Sequence, residues 1–293
     1  MKLNNQIYAF LLITLSTALT SVLAQQPLRT LSTIDAELVC ICGEASLPYA
    51  ERVRLIHRLP SNLTPEQLER CRAFLESPLA GQPLSDLEFN GLKNELVFAL
   101  LRQREGLTEL AELLVRMSRS EETDATWRDY CVQFLGKCYT RINYTKSREA
   151  MADALWEALK TQRRGRAAGF AARQLMTLGR TFPEFPPEKV SAASLDALLD
   201  PASSDETKTA LLQVCGTLGE RGALSSARAI AGRNSAPVLR ASAIVAIGML
   251  GDASDLPLLE RLAVSGDMRV SIRACSAIDR IMKTAEQPVT PPI

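Results

Sequence analysis

Histidine is nearly missing from this 293-residue chain: there is one, His57. A Ser–His or Cys–His nucleophilic pair would have to use it. It stands in RLIHRLP, near an expected helix end, where histidines commonly meet the last carbonyls. No G-x-S-x-G elbow and no H-E-x-x-H accompanies it. Phosphate loops of the G-x-x-x-x-G-K-[ST] and G-x-G-x-x-G kinds are absent too. Aromatics are scarce at 5%, while the apolar share is 46% and rich in alanine and leucine. That composition favours close-packed helices over strands, and no run of alternating β-branched residues argues otherwise. A formal charge of +1 gives no field to gather nucleic acid or anionic lipid. The adjacent carboxylates Glu121–Glu122 and Asp205–Glu206 stand where turns and helix starts want them, not as a glycosidase pair. Trp127 and Trp156 sit among apolar helix positions and read as structural. No catalytic residue, metal site or cofactor is assigned.

The N-terminus reads as a targeting segment. Lys2 precedes an apolar run from Ile7 to Leu23, with Val22 and Ala24 as the small residues before a cut. Cleavage is expected after Ala24, giving a neutral, exported chain, periplasmic or secreted, with no membrane association afterwards. The alternative is an uncleaved N-terminal helix that tethers the protein, since the run approaches spanning length.

Seven cysteines follow that segment: Cys40, Cys42, Cys71, Cys131, Cys138, Cys215 and Cys275. The last four read as small buried hydrophobes. CICG at Cys40–Gly43 is a C-x-C, not a C-x-x-C, and no second pair with ligand spacing follows, so a metal is not expected. A disulfide from Cys40 or Cys42 to Cys71, Cys42 above all, is the pairing to test.

Helix signals run nearly end to end. Ser32, Thr64, Ser85, Ser147 and Ser204 are expected N-caps. Pro65 and Gln67 add a first-position proline and a capping box to Thr64. FPEFPPEKV interrupts the pattern, and Pro187 restarts it. The dipeptide Leu-Gly recurs at Gly136, Gly179, Gly219 and Gly251, spaced 43, 40 and 32 residues, the period of helix-pair solenoids. Each glycine is expected to end a helix in a left-handed cap. An apolar residue precedes each by four: Val132, Leu175, Cys215 and Ile247. One helix pair cannot bury its own apolar face, so its neighbour must cover it. The expected fold is all-α: an α-solenoid of antiparallel helix pairs. The expected divisions are a signal peptide (1–24), a linker (25–33), divergent repeats or a helical cap (34–200), regular repeats (201–285) and a Pro-rich disordered tail (286–293).

The stretch from Ser204 to Thr284 resembles HEAT repeats, particularly the short type also seen in bilin-lyase-like proteins. The likeness lies in VLRASAIVAIGMLGD followed by LPLLERLA, and again in VSIRACSAIDRI. Arg240 and Arg273 stand where that repeat usually carries arginine, and Asp252 follows the Leu-Gly. The resemblance implies a HEAT-like superhelix, and it suggests a lyase-like or other enzymatic role for an exposed cysteine, Cys42 or Cys71. The residues themselves favour a different reading: a non-enzymatic scaffold that binds a protein or peptide on its solenoid surface. The basic run Lys160, Arg163, Arg164, Arg166 and Arg173 is the candidate binding surface, or else a solvated turn beside the acidic DALLDPASSDE. NLT at Asn62 and NYT at Asn143 fit glycosylation sequons.

Overall fold

The computed structural model of the chain describes residues 31–42, 47–78, 84–233 and 235–286. The expected signal segment and the tail beyond Glu286 lie outside the described residues. Among the described residues there are fourteen α-helices, two 3-10 turns and no strand. The helices are α1 (Leu31–Cys42), α2 (Tyr49–His57), α3 (Pro65–Glu76), α4 (Asp86–Leu101), α5 (Leu107–Arg119), α6 (Ala125–Tyr139) and α7 (Thr145–Thr161). They continue with α8 (Ala167–Leu178), α9 (Pro187–Leu199), α10 (Asp205–Leu218), α11 (Leu224–Gly232), α12 (Pro237–Leu250), α13 (Leu256–Ala263) and α14 (Met268–Glu286). Helix α1 thus begins inside the expected linker.

The chain divides into two compact units, Met1–Leu59 and Pro60–Ile293. Helices α9 and α10 pack as a pair across residue 200. In the first unit α1 packs on α2 through Ile34, Leu38, Ile41 and Ile56. Fully buried Arg52 donates its Nε to the Ile41 carbonyl at 3.0 Å, which occupies one of the carbonyls α1 leaves open at its C-terminus.

The second unit is a two-layered stack of helix pairs. Helices α5/α6, α7/α8, α9/α10, α11/α12 and α13/α14 each pack as a pair joined by a short connection, and so run antiparallel. In one layer α4, α6, α8, α10, α12 and α14 pack each on the next. In the other, α3, α5, α7 and α9 do the same, while α11 and α13 rest chiefly on their own partners. Those two are short, at 9 and 8 residues, and expose more of their length.

Local chemistry sets the helix starts. The Thr64 hydroxyl accepts from the Gln67 N–H, and the Gln67 side chain accepts from the Thr64 N–H. Ser85 and Glu88 form the same reciprocal pair. Ser204 accepts from the Thr207 N–H at 3.1 Å. Each such cap contributes about 1 kcal/mol. Ser147 is a correction. Helix α7 begins at Thr145, because the Arg148 N–H already bonds the Tyr144 carbonyl, and Ser147 turns into the core instead of capping.

The Leu-Gly corners also need correction. Gly219 alone of the four takes the left-handed conformation, with φ 75°. Gly136 lies inside α6, three residues before its end. Gly179 and Gly251 have negative φ, and what they need is space. A Cβ on Gly251 would stand 2.3 Å from an Asp255 carboxylate oxygen and 2.7 Å from the Ile247 carbonyl.

Glycines within helices carry the packing of the long layer. A Cβ on Gly169 of α8 would lie 2.8 Å from the Ala210 Cβ on α10. On Gly216 of α10 it would lie 2.9 Å from the Met249 sulfur on α12, and on Gly248 of α12 it would lie 2.8 Å from the Ala277 Cβ on α14. Gly136 of α6 faces Gln174 of α8 in the same way. Each glycine lets the next helix approach closely. The last helix, α14, has nothing packed beyond it among the described residues. Its outer side therefore leaves Met268, Ile272 and Met282 exposed, and Cys275 with them. The expectation that Cys275 is buried is overturned for that reason. Cys131, Cys138 and Cys215 are buried as expected.

Candidate functional site

A cleft of about 920 Å³ opens in the second unit where helices α3 to α6 begin or end. Glu76, Ser77 and Pro78 enter from the end of α3, and Asp86, Phe89, Asn90 and Lys93 from the first turns of α4. Met117, Glu122, Asp124 and Trp127 enter from the end of α5 and the start of α6. Residues 79–83 lie outside the described residues.

Lys93 is the chemical feature of this cleft. Helical spacing places it one turn after Phe89 on α4, so both side chains share a face. Its side chain is almost wholly buried, at 3% exposure. The ammonium donates to the Ser77 carbonyl at 2.7 Å. It also stands 4.7 Å from the Phe89 ring centre and 5.3 Å from that of Trp127, within range of cation–π attraction. Burial pushes the Lys93 pKa down to about 8, against the opposing pull of Cys131 and Asp124. Phe74 meets Phe89 edge to face at 5.4 Å and braces the aromatic wall from α3.

The neighbouring polar groups are largely committed. Asp124 caps α6 by accepting from the Trp127 N–H at 3.0 Å, and the same oxygen accepts from the Asn90 side chain at 2.8 Å. Glu76 is paired with Arg116. Asp86 and Glu122 stand exposed at the rim. The Trp127 indole N–H is buried and has no hydrogen-bond partner. The cleft therefore offers an ammonium with donors to spare, apolar walls and an acidic rim. Among the described residues no group of three His, Cys, Asp or Glu side chains is placed to hold a metal ion.

The residues singled out from sequence lie elsewhere. Lys160 is exposed at the end of α7, and Arg163, Arg164 and Arg166 occupy the connection to α8. Arg163 is bound into the stack. It donates to Asp200 at 2.7 Å and to Asp196 at 2.6 Å, so the acidic DALLDPASSDE receives the basic turn from one repeat before. The Arg166 N–H donates to Asp129, and Arg173 bonds Gln213 of α10. Arg166 and Arg173 border a groove of only about 80 Å³ together with Glu206. Lys160 and Arg164 remain on the surface. His57 ends α2 as an exposed residue. Cys71 is fully buried in α3 and Cys42 is half-buried in α1, so Cys71 is corrected as an exposed thiol. Asn62 and Asn143 are exposed.

Trp127 reads as structural from sequence, and it is buried, but its indole donor is left over. Lys93 passes unnoticed in LKNEL because a single lysine on a helix ordinarily points to solvent. The available signal was its position, one turn after Phe89 and inside the apolar face of α4.

No protein-family model matches the chain, and no curated protein matches it. A solved structure of human deoxyhypusine hydroxylase in complex with glycerol is similar at 16% identity, covering 86% of this chain and 96% of that one, with a TM-score of 0.35. At that score and identity the likeness carries no argument about activity.

Proposed function

We propose that this chain is a non-catalytic helical-repeat scaffold of the HEAT type, exported by its N-terminal segment, that binds a protein or peptide in the cleft between the ends of α3, α4, α5 and α6. The observation that carries this reading is the cleft's composition. A buried ammonium borders about 920 Å³ of concave space with apolar walls, enough for two or three side chains of an extended segment. Helix-pair stacks present such surfaces because each pair repeats the same turn geometry along one edge. The basic run is a weaker candidate, since Arg163 is spent on Asp196 and Asp200.

The test is partner capture by the mature chain from the exported fraction, compared across surface variants that leave the core intact. The double substitution Asp86→Lys and Glu122→Lys changes two exposed rim residues, and it is expected to abolish capture of a partner that Arg164→Glu retains. Loss with Arg164→Glu and retention with the rim variant would move the binding surface to the α7–α8 connection and overturn the assignment.

A further inference from the structure

The cleft's donors specify its ligand more closely than its size does. An ammonium carries three N–H donors, and Lys93 spends one on the Ser77 carbonyl. Its other near neighbours are ring faces, which are weak acceptors. The one nearby interior carboxylate, Asp124, is occupied by Asn90 and by the N-terminus of α6. Trp127 is 1% exposed, and its indole N–H has no acceptor. Lys93 thus brings to the cleft a charged donor whose hydrogen-bonding capacity is only partly used, while the Trp127 N–H is sealed beneath the cleft wall. Leaving a buried donor unsatisfied is costly, and a buried charge with its hydrogen bonds unmet costs more. A bound acceptor group with negative charge meets the ammonium's remaining donors. A dianion such as phosphate fits poorly, because a single cation faces it and Glu76, Asp86 and Glu122 surround the entrance. A singly charged carboxylate fits. The apolar wall of Phe89, Met117 and Leu84 suits an apolar side chain on the same residue.

We propose that the cleft binds the C-terminal end of a peptide: a free α-carboxylate on Lys93 beside Trp127, an apolar or aromatic last side chain against the wall, and a basic residue before it facing Asp86 and Glu122. This rests on the reading of the cleft as the binding site and names its substrate class. The ammonium supplies charge-assisted hydrogen bonds to the carboxylate, and the Trp127 ring, 5.3 Å from the ammonium, reports on the charge placed there.

The probes are N-acetyl-Lys-Phe with a free carboxylate and the same dipeptide as its C-terminal amide. They are titrated into the full mature chain carrying Trp156→Phe, which leaves the Trp127 indole as its single indole N–H signal in a ¹⁵N-resolved NMR spectrum. The acid is expected to move that signal downfield and saturate it, while the amide binds about tenfold more weakly or worse. Lys93→Met is expected to bring the acid to the amide's level. If that variant fails to fold, the pH series on the Lys93 chain decides. The groups facing Lys93 are Glu76 from α3, Asp86 from α4, Glu122 and Asp124 from the α5–α6 turn, and Cys131 from α6, whose thiol burial pushes well above the ordinary range. Of these, Lys93 changes charge between about pH 7 and 10. Acid affinity should therefore fall across that range and amide affinity should not. Equal binding of acid and amide would overturn the carboxylate assignment while leaving the cleft as a binding site. No movement of the Trp127 signal by either probe, with partner capture still lost in the rim variant, would do the same. Failure of capture to depend on the rim would overturn the underlying reading instead.

Discussion

The Arg228 guanidinium holds both carboxylate oxygens of Asp255, at 2.6 and 2.9 Å, and so ties α11 to the 3-10 turn that opens the final helix pair. The two partners differ in exposure. The Asp255 side chain is 2% exposed and that of Arg228 is 39% exposed. Asp255 also accepts from the Asp252 N–H at 3.2 Å. Removing one partner strands the other, and the cost depends on whether the stranded group reaches water. Arg228→Met leaves a buried carboxylate and should lower stability by about 2–3 kcal/mol, whereas Asp255→Asn leaves an arginine that can turn to solvent and should cost about 1–2 kcal/mol. Urea unfolding of the two variants gives the order. Asp255→Asn being the more damaging would contradict it.

Close approach along the long layer predicts a contrast between two helical glycines. A side chain on Gly248 meets the Ala277 Cβ and Cα at 2.8 and 2.9 Å, whereas one on Gly232 meets nothing within 4 Å. Gly248→Val should destabilise by about 1–3 kcal/mol through overpacking. Gly232→Ala should be neutral or stabilising by up to about 1 kcal/mol, because alanine restricts the unfolded chain and suits a helix better. Thermal denaturation of both variants checks the pair.

Lys93 gives stability a specific pH dependence. Its folded pKa, about 8, lies below the ordinary lysine value of 10.5. Below pH 8 the residue is protonated in both states, and the folded state bears the full cost of a buried charge. Between pH 8 and 10.5 the unfolded chain binds the extra proton, so this group makes stability rise with pH. The span corresponds to about 3 kcal/mol as an order of magnitude. Lys93→Met should therefore gain stability over the parent near pH 7 and lose most of that advantage by pH 10. The readout is the difference between the two urea midpoints at each pH. A constant difference would show that Lys93 is not charged at the expense of the fold.

Thiol reactivity should separate the cysteines by burial. Burial pushes the Cys138 and Cys215 thiols up to about 12 and raises Cys131 well above the ordinary range. The thiolate is the reactive form, so these three should resist a disulfide reagent in the native protein and react on unfolding. Exposed Cys275 should react first. Peptide mapping after brief labelling identifies the modified residue, and early labelling of Cys131 would count against the packing of α6.

The corrections share a cause. Thr64, Ser85 and Ser204 were recognisable as caps because a cap is a contact across three residues, which a sequence displays directly. Ser147 has the same chemistry, yet the helix starts before it, since the Tyr144 carbonyl three residues earlier already accepts from the Arg148 N–H. Leu-Gly marked the repeat period correctly in its spacing but not in its conformation. Gly219 needs a positive φ, while Gly251 needs room for Asp255, and both demands select the same residue type. The acidic DALLDPASSDE was visible as a neighbour of the basic run, but which arginine it takes was not, because Asp196 and Asp200 lie 33 and 37 residues beyond Arg163.

The sequence by itself determined that the described chain is helical, where the helices capped by Thr64, Ser85 and Ser204 begin, and that helices stack as pairs, because capping and amphipathic spacing act within a few residues. Only the tertiary structure decided which small residues face the next helix and which lysine is buried. Lys93 meets the Ser77 carbonyl 16 residues before it, and Asn90 meets Asp124 34 residues after it. Contacts at those separations are set by how helix ends converge in space, which no local period records.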